Sequence, residues 1–382
     1  MRHARPTPKG RRILLAATAV LVVAVGVGAF ALTRDDAPVA APKVAAPSAT
    51  GSPASAPVSP PSGVPSASAS SANLPLPSPS PSPSPTQTPS PSLFVDPSGA
   101  AAKQVRSYEN AGETANAALV KKIANSPTAT WFADSSAGTA SRARSLVTAA
   151  DRAGKLPVLT LYNIPHRDCS GQSAGGAASA DEYRSWISAM AGAIKGRDAL
   201  VVLEPDAVPQ AVQGCLDEER KNQRYELLGY AVSTLSENAG TRVYLDAGNP
   251  TWITDTDLLA GALRQAGVER ATGFSLNVAN FETTGSNVSY GTALSGRLGG
   301  ATFVVDTSRN GNGPAGKGPQ GNEHWCNPPG RKLGDPPSTR TGNALVDAYL
   351  WVKRPGESDG ACGNGAPAAG RWWPEYALEL AR

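Results

Sequence analysis

VVLEPDAV, residues 201–208, is an apolar run of strand character that ends in two carboxylates, Glu204 and Asp206, with Pro205 wedged between them. A buried strand avoids acids, because an unpaired buried charge is costly. Either the acids sit just past the strand, at a lip where chemistry is done, or the run is a surface edge. The flanking sequence favours the lip. Similar runs recur as TATWFAD (128–134), KLPVLTLYN (155–163), ALVVLEPD (199–206), TRVYLDAGN (241–249), ATGFSLN (271–277), ATFVVDTSRN (301–310) and DAYLWVKRP (347–355). Between them lie amphipathic stretches such as TANAALVKKIANS, SRARSLVTAADRAG, DEYRSWISAMAGAIKG, RYELLGYAVSTLSEN and TDLLAGALRQAG. Alternating strand and helix patterns predict an α/β fold of parallel strands joined by helical crossovers. Seven strand candidates suit a (β/α) barrel or near-barrel, with a doubly wound sheet as the alternative.

Polar residues recur where the runs end: Tyr162 and Asn163, Glu204 and Asp206, Asp246, Asn277, Asp306 and Lys353. In parallel α/β architectures the loops after the strand C-termini form the active face. A single Asp there is usually a helix cap or turn residue. Several acids at equivalent strand ends converge on one cleft.

This domain occupies residues 94–382 of the 382-residue chain. Residues 38–93 are almost entirely Ala, Pro, Ser, Thr, Gly and Val, a composition that cannot pack a core and reads as a disordered, semi-rigid linker. Residues 1–37 hold a basic head, an uncharged apolar run (13–32) and TRDD. That is an export signal, and the run is also long enough to span a bilayer. A cleaved signal peptide and an uncleaved membrane tether both fit, and either places the domain outside the cytoplasm. The formal net charge of +4 resides entirely in residues 1–37, which carry six basic and two acidic side chains. A neutral remainder gives no electrostatic footprint for nucleic acid.

Histidine is scarce (His3, His166, His324), which argues against a Ser-His-Asp triad or a His-rich zinc site. GNGPAGKG (311–318) mimics the spacing of a phosphate-binding loop, but Gly318 stands where Ser or Thr is needed and no helix can start there. Carboxylates and tryptophans remain. Two carboxyls in different environments can work as acid and base, and indoles stack on the apolar faces of sugars. Trp131, Trp252 and Trp325 lie in or beside the strand-end loops, whereas Trp186 reads as core and Trp351 fits core at least as well. An exported protein with an acidic cleft and aromatic platforms reads as a glycoside hydrolase.

VLTLYNIPHRDCSGQSAGG (158–176), VVLEPDAVP (201–209), YLDAGNPTW (244–252), SLNVANF (275–281), VVDTSRNGNGP (304–314), NEHWCNPPG (322–330) and LWVKRPGESDG (350–360) together resemble glycoside hydrolase family 6, over essentially all of 94–382. The resemblance implies a distorted barrel of about seven parallel strands, β-1,4-glucan as substrate, inversion at the anomeric carbon, and no cofactor or metal. It implies Asp206 as the general acid, Asp168 as its assistant, Asp359 as the candidate base and Tyr162 beneath the distorted sugar ring. Trp131, Asp246, Asn249, Trp252, Asn277, Trp325, Lys353 and Glu357 match substrate-binding positions. The chain departs from the family pattern in three places. Asn249 replaces the His of DAGH, His324 interrupts NEWC, and Ala174 follows Ser173 after RDC.

Four cysteines in an exported chain suggest two disulfides. Of three pairings, Cys169–Cys215 with Cys326–Cys362 closes the shorter loops, and the family resemblance implies the same. A domain of this size leaves little room for loops that roof a tunnel, so the expectation is a monomeric endo-β-1,4-glucanase. A cellobiohydrolase, a mixed-linkage glucanase and a non-catalytic cell-surface glucan binder are the alternatives.

Overall fold

The computed structural model describes residues 92–316, 323–363 and 365–382. The expected export segment 1–37, with its expected tether at 13–32, and nearly all of the expected linker lie outside the described residues. Among the described residues no helix is long and apolar enough to cross a membrane.

Six of the seven apolar runs contain a strand and the seventh overlaps one: β1 (Thr130–Phe132), β2 (Val158–Leu161), β3 (Ala199–Leu203), β4 (Thr241–Asp246), β5 (Gly273–Leu276), β6 (Thr302–Asp306) and β7 (Val346–Leu350), which starts one residue before the run 347–355. They form one sheet in chain order, every neighbour parallel. A doubly wound sheet reverses its strand order at a switch point, and this sheet never reverses. It curls instead. Where its ends approach, the Ala129 N–H donates to the Trp351 carbonyl (2.9 Å) and the Trp131 indole to the Val352 carbonyl (2.8 Å). No ladder joins β1 to β7 among the described residues, so the barrel is distorted by an unzipped seam.

The strands are near-continuous apolar runs because both of their faces are covered. Leu159, Leu161, Val201, Leu203, Val243, Leu245, Phe274 and Phe303 pack outward against helix residues such as Ile187, Leu228 and Leu263. Val158, Leu200, Val202, Tyr244, Val304, Ala348 and Leu350 pack only among strands and their flanks, which makes them the barrel interior. The two sets alternate along each central strand, as a two-residue side-chain period requires.

The helices are α1 (Ala100–Asn110), α2 (Thr114–Ala124), α3 (Thr139–Arg152), α4 (Ala180–Ile194), α5 (Ala207–Gln213), α6 (Glu218–Ser236), α7 (Thr256–Gln265), α8 (Thr284–Arg297) and α9 (Pro374–Ala381). Several start on side-chain caps. Ser179 accepts from the Glu182 N–H, Asp217 from that of Arg220, Asp255 from those of Asp257 and Leu258, and Thr283 from that of Ser286. α1, α2 and α9 bury Val105, Val120 and Ile123 with Ala377 and Leu378 in two satellite clusters.

Candidate active site

The alternation that builds the barrel also aims its polar strand ends. Tyr244 and Val304 point inward, so Asp246 and Asp306, two residues further along β4 and β6, point inward as well. Glu204 follows the last residue of β3 at φ 47°, where the strand alternation no longer holds, and lies beside Tyr183 of α4. All three are fully buried. Glu204 accepts the main-chain N–H of Asn163 with both oxygens and that of Ile164 with Oε2, each at 3.0 Å. Asp306 accepts the N–H groups of Ser308, Ala279, Val352 and Lys353 at 2.9–3.2 Å. Asp246 accepts from the Asp206 N–H (2.9 Å), the Gly248 N–H (3.2 Å) and the Ser275 hydroxyl (3.0 Å). These acids tie neighbouring strand-end loops to one another. The two carboxylates of the opening run thus part company: Glu204 is framework, and Asp206, half-buried, is at the lip.

Burial pushes Glu204 up to about 7 despite its hydrogen bonds, and Asp246 likewise, with the Asp306 charge adding to the push. Both carboxyls hold their protons to higher pH in the folded state than in the unfolded chain. Stability from this source is full below the ordinary carboxylate range and is lost as pH rises toward 7. The melting temperature should therefore fall between pH 4.5 and about 7 and then level off. Glu204→Gln should flatten the fall, and a melting temperature that climbs across this interval would contradict the assignment.

Asp206 opens α5 in a left-handed conformation (φ 69°), its N–H anchored on Asp246. Burial first, then the Asp246 and Asp168 charges, hold its carboxyl well above the usual carboxylate range, with Arg224 and Lys353 opposing. Asp168 is half-buried in the loop after β2. Its Oδ2 accepts the Ser173 N–H at 2.6 Å and its Oδ1 faces the Gln210 amide at 3.3 Å. Tyr162, at the end of β2, meets Trp131 edge-on (5.4 Å between centroids), and the Arg167 guanidinium lies 4.6 Å from its ring centre. Burial, then the Asp206 and Asp168 charges, push the phenol far above its ordinary range, so its hydroxyl stays a donor.

The loop bearing Asp168 folds back on itself, with the Arg167 N–H on the Gly175 carbonyl and the Ala177 N–H on the Asn163 carbonyl. Gly176 makes the return at φ 97°, and a Cβ there would lie 1.9 Å from the Ile164 carbonyl oxygen. Gly176→Ala is expected to destabilise the fold by more than about 2 kcal/mol, measured by urea unfolding.

Asp359 sits in the opposite electrostatic setting. Its Oδ2 takes the Arg309 guanidinium (2.8 Å) and the Asn327 N–H (3.0 Å), and its Oδ1 takes the Lys353 ammonium (3.2 Å). Burial alone would raise its pKa; the two cations and these hydrogen bonds outweigh it and hold the carboxyl below its ordinary range. Arg309 is fully buried with its guanidinium carbon 4.3 Å from the Phe281 ring centre. Asn327 returns the contact, accepting the Asp359 N–H at 2.8 Å. Neither Arg309 nor Asn327 was among the residues expected from sequence. Both stand within motifs that were, SRN and WCN, but only folding shows that they meet Asp359.

Cys169–Cys215 and Cys326–Cys362 form as expected, one bracing the Asp168 loop and the other the Asp359 loop. All nine non-glycine residues with positive φ among the described residues lie in these strand-end loops: His166, Asp168, Cys169, Ser170, Glu204, Asp206, Asn277, Ala279 and Asn327. Backbone strain concentrated in this way marks a site held in shape by its surroundings.

The remaining expected residues are placed unevenly. Trp131 and Trp252 are half-buried, the latter donating to Gln213 Oε1 at 3.1 Å, and Trp325 is 41% exposed. Asn249 is buried, its Oδ1 accepting the N–H and the hydroxyl of Thr251. Asn277 spends both amide protons on the Glu282 and Asp306 carbonyls and so clamps two loops. Glu357 pairs with Arg354 (2.9 Å) and lines a crevice with Asp96, Ser126 and Trp372. Trp186 is core, as expected, and so is Trp351.

The family model described as glycosyl hydrolases family 6 matches residues 88–382. Endoglucanase A of Cellulomonas fimi is 48% identical over 204 residues, which are 53% of this chain and 42% of that protein. Endoglucanase 1 of Streptomyces halstedii is 44% identical over 209 residues, 53% of this chain and 61% of the relative. The chain therefore spans 42% and 61% of the lengths of these two curated relatives. The endoglucanase Cel6 from Mycobacterium tuberculosis, solved in complex with methyl-cellobiosyl-4-deoxy-4-thio-β-D-cellobioside, is similar at a TM-score of 0.71 and 43% identity. That match covers 76% of this chain and 97% of the solved one.

Proposed function

The chain belongs to glycosyl hydrolases family 6, and from that premise we propose that it is an inverting endo-β-1,4-glucanase acting on cellulose or a related β-1,4-glucan outside the cytoplasm. One observation supports this most directly: two carboxyls of one cleft system are pushed in opposite directions, Asp206 toward its protonated form and Asp359 toward its ionised form. In the proposed reaction Asp206 gives its proton to the glycosidic oxygen as the bond to the anomeric carbon breaks. Water attacks that carbon from the opposite face and passes its proton to a carboxylate. Asp168 and Asp359 are the two available acceptors. The one that serves is the one whose replacement by Asn abolishes the acidic limb of the pH–rate profile. Tyr162 lies under the reacting ring, while Trp131, Trp252 and Trp325 supply stacking faces along the glucan. Two disulfides and an N-terminal export segment support an extracellular or surface-tethered location.

The test is hydrolysis of carboxymethylcellulose followed by viscosity and by reducing ends together. An endo-acting enzyme collapses viscosity before many ends appear. Slow viscosity loss with steady release of cellobiose would replace the reading with a cellobiohydrolase. Turnover confined to mixed-linkage glucan would reassign the substrate. Binding without turnover on any of these, or on crystalline cellulose, would leave a glucan-binding protein.

A further inference from the structure

Behind the cleft, α6 contributes a buried cation that the reaction as written does not use. Arg224 is 2% exposed. Its Nη2 donates to the carbonyls of His166 (2.7 Å) and Pro165 (3.2 Å), immediately ahead of Asp168. Its Nη1 donates to the Ala207 carbonyl and to Gln210 Oε1, both at 3.4 Å, immediately beyond Asp206. A guanidinium offers no acceptor, so the Gln210 atom facing it is the oxygen, and the other end of the amide is thereby fixed as a donor. That donor faces Asp168 Oδ1 at 3.3 Å. Gln210 lies one turn along α5, its own N–H closing on the Asp206 carbonyl at 2.9 Å. One side chain from a helix outside the cleft thus touches both acid-bearing segments, and a second relays the contact to a carboxylate oxygen.

We propose that Arg224 and Gln210 are a positioning pair that sets Asp168 in register with Asp206, a role that rests on the reading of these two acids as working carboxylates. The arrangement is poor as a device for stability alone. Arg224 Nε is buried without a hydrogen-bond partner, and leaving such a group unsatisfied is costly. The Arg224 charge is also felt at Asp206, which Asp246, Asp168 and Lys353 face from the other sides; Arg224 itself is faced by Glu204, Tyr162, Tyr183 and Tyr225.

The experiment compares the full chain with Gln210→Met, which keeps the volume and removes the amide, with Arg224→Lys, which keeps the charge and loses the fork, and with the double variant. The readouts are kcat, KM and pH profile on carboxymethylcellulose, with melting temperature alongside. Each single variant is expected to lose at least about 10-fold in kcat, with KM within about two-fold of wild type, as for reacting groups displaced by a fraction of an ångström. Melting temperature should stay close to wild type for Gln210→Met, and the double should be no worse than about twice the poorer single, because the two act through one contact. Arg224→Lys keeps the cation and should leave the alkaline limb of the profile in place. Wild-type kcat in Gln210→Met, or single losses that multiply in the double, would overturn the pairing; if Arg224→Lys does not fold, Gln210→Met decides alone. An inert wild-type chain, or an Asp168→Asn variant as active as wild type, would instead remove the functional reading underneath, and the positioning role with it.

Discussion

Asp206→Asn is expected to lower kcat on carboxymethylcellulose by about 10³–10⁴-fold, the upper range for loss of a positioned general acid. KM should change little, because the amide keeps the shape of the carboxyl. The loss should depend on the leaving group. On a β-cellobiosyl fluoride, whose departing ion needs no proton, the variant should recover most of the wild-type rate. The alkaline limb of the pH–rate profile should also vanish. On the proposed mechanism that limb reports the proton at Asp206, whose carboxyl burial and the neighbouring Asp246 and Asp168 charges hold above the ordinary carboxylate range. Activity therefore falls as pH rises through the raised value, and a variant with nothing to deprotonate has no such fall. Equal losses on the polymer and on the fluoride would remove Asp206 from the acid role.

Asp359→Asn should act on stability as strongly as on turnover. It leaves Arg309 and Lys353 buried without their shared carboxylate, and breaking one side of a buried ion pair costs about 3–5 kcal/mol. Calorimetry should show a clear drop in melting temperature. The contrast with Asp206→Asn is the sharper test, since both changes are isosteric and both remove one carboxyl. Asp206 is crowded by other acids, so its loss should leave the melting temperature unchanged or raise it. A neutral Asp359→Asn would mean that the two cations find other partners, and the opposed settings of the two carboxyls would lose their physical basis.

Much of this was legible in the residues. Six strands lie within an apolar run and β7 overlaps one, because strands covered on both faces leave long unbroken signals. Helices α2, α3, α4, α6 and α7 carried amphipathic periodicity. Helix α8 did not advertise itself: TGSNVSYGTALSGR is rich in Gly, Ser and Thr, and it is held by packing Leu294 and Gly291 against the sheet, not by propensity. The site was legible as a set of acids at strand ends but not as a division of labour. Glu204 and Asp206 stand two residues apart and look equivalent. Only the turn at Pro205 and the N–H groups of a neighbouring loop make one framework and leave the other at the lip. Arg309, Asn327, Gln210 and Arg224 escaped notice because each depends on a partner between 32 and 59 residues away.

The two disulfides have a consequence for how the chain matures. The paired cysteines are 46 and 36 residues apart and the two loops do not interleave, so Cys169 can meet Cys215 before Cys326 is delivered. A polypeptide delivered N-terminus first into an oxidising compartment meets its correct first partner while the other two thiols are still undelivered. Wrong pairings are then avoided by the order of arrival, with no need for later reshuffling by an isomerase. Refolding of the whole reduced chain, where all four thiols compete at once, should be the slower and less faithful route.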